Sequence, residues 1–129
     1  MDQLSLLLTS VLFGGMCLFS FGFAMLMFKI FEPKEARRAI RESFPPYYLF
    51  VIASSALAAL FAALVSIGAG LILAAISLST VYARQVLMPK INAATDTDNK
   101  PAFKRLHGAS VILQLIQIAL AGWALIQPG

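Results

Sequence analysis

The stretch LSLLLTSVLFGGMCLFSFGFAMLMF, Leu4 to Phe28, contains no charged side chain. A helix needs about 20 mostly apolar residues to cross a hydrocarbon core about 30 Å thick, and this run exceeds that length. Asp2 precedes it where a secretory signal would carry Lys or Arg, and it is longer than the apolar region of such a signal, so it is expected to be a retained span. Working outward, Tyr47 to Val65 follows a double proline, Leu71 to Ala83 extends to Met88 through Arg84, and Ala109 to Ile126 closes the series. The expected fold is all-α and integral to the membrane. It is one domain over 1–129, a four-transmembrane-helix bundle with spans near 4–28, 46–65, 70–88 and 106–126.

Composition agrees with that solvent. Of 129 residues, 60% are hydrophobic and only 12% charged, where a soluble domain carries roughly a quarter charged residues. The net charge of +4 would draw an anionic partner to a soluble protein, but here it reports topology, and no nucleic-acid partner is expected. Lys29, Lys34, Arg37, Arg38 and Arg41 fall between the first two spans, and Lys90, Lys100, Lys104 and Arg105 between the last two. Short basic loops stay cytoplasmic, so connections 29–45 and 89–105 are expected inside and both termini outside an inner membrane. Membrane lipids are then the obligatory neighbours. With Cys17 as the single cysteine, no intramolecular disulfide can form.

The connections have readable chemistry. EPKEARRAIRESFPP predicts a short amphipathic helix along the cytoplasmic interface, started by Pro33 and closed by Pro45, with Ala36, Ile40 and Phe44 on one face and Arg38 able to pair with Glu42. SIGAG permits only a tight reversal, making spans two and three an antiparallel hairpin. Small residues recur every four positions in span two (Ser54, Ala58, Ala62, Ser66), and Gly15 and Gly22 share a face of span one, both suited to close helix approach. Asp96 and Asp98 superficially open a calcium loop, but the positions needing Gly and Glu hold Pro101 and His107. Asp98 or Asn99 instead suits the cap of a helix starting near Pro101.

Polar residues inside the spans are the site candidates. Ser77, Thr80 and Arg84 share a face of span three; His107, Ser110, Gln114, Gln117 and Ala121 form a stripe on span four that drifts only about 20° per seven residues. The glutamines must point into the bundle, because an unpartnered amide in hydrocarbon costs several kcal/mol. Two readings stay open: Gln114 and Gln117 bond Ser77 and Thr80 and hold helices together, or the stripes line a polar pocket near the cytoplasmic side, where Arg84 and His107 can approach each other. Arg84 can also snorkel to the headgroups. One His and one Cys cannot build a closed zinc site, and no cofactor is predicted. Copper, through Met side chains, or haem, with His107 as axial ligand, is the alternative. No nucleophile with its base, phosphate loop or carboxylate pair appears, which points away from an enzyme.

The glycine-bearing first span, FPPYY (Phe44–Tyr48), ARQVLMPKIN (Ala83–Asn92) and FKRLHGAS (Phe103–Ser110) together resemble the membrane family called domain of unknown function 4149, in its bacterial branch, whose animal members are transmembrane protein 205-like. The resemblance implies a four-helix membrane domain, distantly similar to CopD-type copper-resistance domains and to the haem-associated bacterial protoporphyrinogen oxidase, with no established activity. Carried over by position, it makes Arg84, Asn92, Arg105, His107 and Ser110 site candidates. The expected function is a small non-enzymatic bundle, accessory or transport-related, acting as a homo-oligomer or beside a membrane-protein partner.

Overall fold

The computed structural model describes residues 2–127. Its four long helices are α1 (Gln3–Ile30), α2 (Pro33–Ala63), α3 (Ile67–Asp96) and α4 (Lys100–Ile126), each long and apolar enough to cross a membrane, and no strand occurs among the described residues. They run alternately up and down. Helix α1 packs on α2 and α4, and α3 packs on the same two, with α2 against α3 the most extensive contact. Both basic connections therefore lie at one end of the bundle, called here the basic end.

Local chemistry sets the helix starts. Asp2 caps α1 by accepting from the Ser5 N–H at 2.8 Å, and the hydrogen bonds from Ser5 hold its carboxyl below the ordinary range. Ser66 caps α3. Asn99 caps α4 by accepting from the Ala102 N–H at 3.3 Å, with Pro101 in the first turn, as expected. The α3–α4 reversal just before it uses a left-handed Asp98 (φ 54°), a conformation Asp tolerates better than most residues.

Helix α2 differs from expectation in an instructive way. The amphipathic segment is helical from Pro33, but Pro45 does not close it: helix continues through Pro45 and Pro46 to Ala63. The segment therefore continues the axis of span two instead of lying flat along the interface. Two prolines remove two donors and free the carbonyls of Arg41 and Glu42, but both residues are exposed at the basic end, where water can satisfy them. The apolar face turns inward, with Ala36 fully buried.

Two helices contain a π-helical turn, Leu18–Phe23 in α1 and Ala83–Leu87 in α3. Each shows the wider bonding directly: Ala24 N–H donates to the Phe19 carbonyl and Met88 N–H to the Ala83 carbonyl, five residues back. In α3 the turn stands immediately before Pro89, whose ring crowds the backbone and brings no donor. A π turn inserts an extra residue, so faces projected from ideal periodicity rotate beyond it. That is why Gly15 and Gly22 part company: Gly15 lies under the Phe50 ring of α2, whereas a side chain at Gly22 would first meet its own helix at Leu18.

The core is dry and tight away from the basic end. Leu12, Met16, Leu73 and Ile76 are fully buried, and so are the small residues Ser55, Ala58, Ala62 and Ala121 that let helices approach. The closest approach is at the hairpin, where a Cβ on Gly70 would stand 2.9 Å from the Ala63 Cα. Leucine, isoleucine and phenylalanine cover the outer faces, as lipid requires.

Candidate functional site

The polar residues of the stripe on α4 turn inward and meet partners on every other helix. Gln117 is buried; its amide nitrogen donates to the Ser79 and Thr80 hydroxyls of α3 at 2.8 and 2.9 Å. Those hydroxyls in turn donate to the Ile76 carbonyl at 3.0 and 2.7 Å, so they can only accept from Gln117, and this fixes the amide's orientation. One turn nearer the basic end, the Gln114 amide donates to Ser20 of α1 at 2.6 Å and to Tyr47 of α2 at 3.1 Å. Tyr48 of α2 hydrogen-bonds Ser110. The tyrosines thus cross the bundle diagonal, where α2 and α4 backbones do not pack.

The expected partners were partly different. Thr80 does bond Gln117, but Ser77 donates instead to the Ile52 carbonyl of α2 at 3.1 Å, and Gln114 turns to α1 and α2. An aromatic cluster surrounds that second glutamine: Phe19 stacks on Tyr47 with centroids 3.9 Å apart, and Phe44 meets Phe19 edge-on at 5.3 Å. The π turn in α1 places Phe19 and Ser20 together on this side.

Above the Gln114 layer a cavity of about 910 Å³ opens toward the basic end, with walls from all four helices. From α1 come Phe19, Ser20, Phe21, Met25 and Phe28; from α2, Ile40, Phe44 and Tyr48 below a rim of Lys34, Arg37, Arg38 and Arg41. Helix α3 supplies Met88, Ile91, Asn92 and Thr95, and α4 supplies Phe103, His107, Ser110, Val111, Gln114 and Leu115. A volume in the upper part of the small-ligand range, apolar walls and a few convergent polar groups are the features of a binding site. Arg41 holds Asp96 in a bidentate ion pair at 2.8 and 3.1 Å, joining α2 to α3 at the rim, and Arg38 pairs with Glu42 at 3.3 Å. Both pairs are solvent-exposed and add little stability.

Four of the candidate residues meet in this cavity: His107, Ser110, Gln114 and Asn92. His107 is exposed on its wall, stacked on Phe103 at 5.3 Å and 6°. Gln117, Thr80 and Ser77 lie in the packed layers and do not line it. Arg105 faces a separate shallow depression beside Lys90 and Asn99. Arg84 does not share the cavity with His107; it is half-buried in the π turn of α3, its Nη1 3.4 Å from the Gln85 side-chain oxygen and its Nε buried without a partner. The rotation imposed by that turn separates it from Asn92, which does reach the cavity. The rim cations and Phe19, Phe21 and Phe28 were not singled out from sequence, because they become a wall only once α2 continues straight and α1 carries its π turn.

Gln117→Leu tests the layer below. Because Ser79 and Thr80 keep their bonds to Ile76, the substitution should cost only about 1 kcal/mol in detergent unfolding, the scale of interhelical hydrogen bonds in membranes. Failure to fold would mean that the amide does more than join α3 to α4.

Four antiparallel apolar helices with polar side-chain contacts inside and a basic-rimmed cavity at one end define a small polytopic helical membrane protein. Residues 7–100 match the model of the family described as Domain of unknown function (DUF4149), and the chain belongs to that family. The match takes in most of α1, all of α2 and α3, and stops at the start of α4, so the glutamine stripe and His107 lie beyond it. No curated protein and no solved structure matches the chain.

Proposed function

We propose that this chain is a non-enzymatic, ligand-holding bundle of the cytoplasmic membrane, with its basic end and cavity toward the cytoplasm and both termini outside. The observation that carries the reading is the cavity of about 910 Å³ to which every helix contributes. Orientation follows from the basic residues, all at that end. The cavity is blind: beneath Gln114 lie the Gln117 layer and the buried side chains Leu12, Met16, Leu73 and Ile76. A single chain therefore holds a ligand without passing it across, and any transport role requires a second copy or a membrane-protein partner.

The direct test is thiol labelling in a Cys17→Ala background. Asn92→Cys should react with a membrane-impermeant maleimide in inside-out vesicles and not in right-side-out ones, while Leu73→Cys, fully buried, reacts in neither. Asn92→Cys that stays unlabelled in inside-out vesicles removes the water-accessible cavity; labelling only from the other side reverses the orientation.

A second reading has one observation in its favour: His107 is exposed on the cavity wall, which Met25 and Met88 also line, so it is placed to ligate haem or copper there. Among the described residues no three His, Cys, Asp or Glu side chains gather, so His107 would be the sole ligand of those types. A Soret band or stoichiometric copper, lost in His107→Ala, would establish it; colourless, metal-free protein from native membranes would remove it.

A further inference from the structure

Resting on the cavity reading above, the geometry points to an occupant: we propose that the cavity takes one anionic phospholipid from the cytoplasmic leaflet, admitted sideways between α1 and α4. The opening is visible in how the helices pack. Helix α1 meets α4 through Gln3–Cys17, whereas beyond the π turn its segment Ala24–Ile30 packs on α2 instead. The two helices part at leaflet depth. The edges of this gap, Phe21, Met25 and Phe28 on α1 and Val111 and Leu115 on α4, are exposed apolar side chains that also line the cavity, so its apolar wall is continuous with the lipid-facing surface.

Charge selects the head group. Of the four rim cations, Arg38 and Arg41 are engaged by Glu42 and Asp96, but Lys34 and Arg37 make no ion pair among the described residues. Both stand one turn apart at the start of α2, at the height where a head group would sit if its chains lay against the apolar wall below. A soluble anion would use this rim and leave the apolar walls bare; an acyl chain alone would leave the rim unused. An anionic lipid uses both, and its phosphate meets the guanidinium of Arg37 and the ammonium of Lys34 in the form those groups bind best.

The test is native mass spectrometry of the full chain released from nanodiscs containing phosphatidylglycerol and phosphatidylcholine with identical acyl chains. Retention of phosphatidylglycerol over phosphatidylcholine is expected. Lys34→Gln with Arg37→Gln should reduce that preference about 30-fold, and these exposed positions leave the fold intact, as circular dichroism would check. Ala24→Trp, filling the cavity without touching charge, should lower retention of both lipids. Equal retention of the two lipids, a preference unchanged in the double variant, or glycerol phosphate binding as tightly as the whole lipid would each overturn the proposal. Asn92→Cys labelling separates the failures: no lipid preference in a labelled protein removes the lipid and leaves the cavity, whereas an unlabelled protein removes both.

Discussion

Gly70→Leu should unfold the α2–α3 hairpin at markedly lower denaturant, with a loss of about 3 kcal/mol, the upper end for overpacking. A Cβ there would lie 2.7 Å from the Ala63 Cβ and 2.9 Å from its Cα, so relief requires moving helix backbone, not swinging a side chain. Only the short turn Leu64–Ser66 separates these helices, and it cannot absorb such a shift. Gly14→Ala is the control: nothing lies within 4 Å of its added Cβ, and in a helix interior the change should stabilise by about 0.5–1 kcal/mol. Opposite signs at two glycines, read by unfolding in detergent, would confirm that contact and not composition makes Gly70 necessary. Equal tolerance would mean that the hairpin is looser than described.

Tyr47→Ala should be the most damaging change near the cavity, at about 3 kcal/mol, the scale for deleting a buried aromatic ring. Tyr47 is 7% exposed, stacks on Phe19, touches Phe44 edge-on and accepts from Gln114. Its removal leaves a void under the cavity floor and gives Gln114 only Ser20. Tyr47→Phe keeps the ring and drops the hydroxyl, and should cost about 1 kcal/mol or less, as membrane hydrogen bonds do. The pair separates packing from polarity. If phenylalanine were as harmful as alanine, the hydrogen bonds of the floor would be its main support.

Much of the architecture could be read from the residues. The uncharged run Leu4–Phe28, the proline-led entry at Tyr47 and the stripe from His107 to Ala121 fixed four spans and the inward face of the last, because hydropathy and a 3.6-residue period are local properties. Capping at Asn99 was equally local. What escaped was set by tertiary context. Pro45 and Pro46 read as a stop, yet exposed carbonyls at the basic end let the helix run on. Two π turns re-aimed everything beyond them, parting Gly15 from Gly22 and Arg84 from His107. Ser20 and Tyr47 as partners of Gln114 lie 94 and 67 residues away in sequence, a separation at which no spacing rule operates.

The parting of α1 from α4 is the claim on which the cavity stands, and thiol cross-linking at two levels of that seam tests it most directly. In a Cys17→Ala background, Phe13→Cys with Gly122→Cys should be joined within one chain by a short bifunctional reagent, since a Cβ at Gly122 would lie 3.2 Å from the Phe13 ring. Met25→Cys with Leu115→Cys, facing each other across the opening, should not. Efficient cross-linking at both levels would show α1 and α4 closed along their length, and would contradict both the cavity and its lateral entrance.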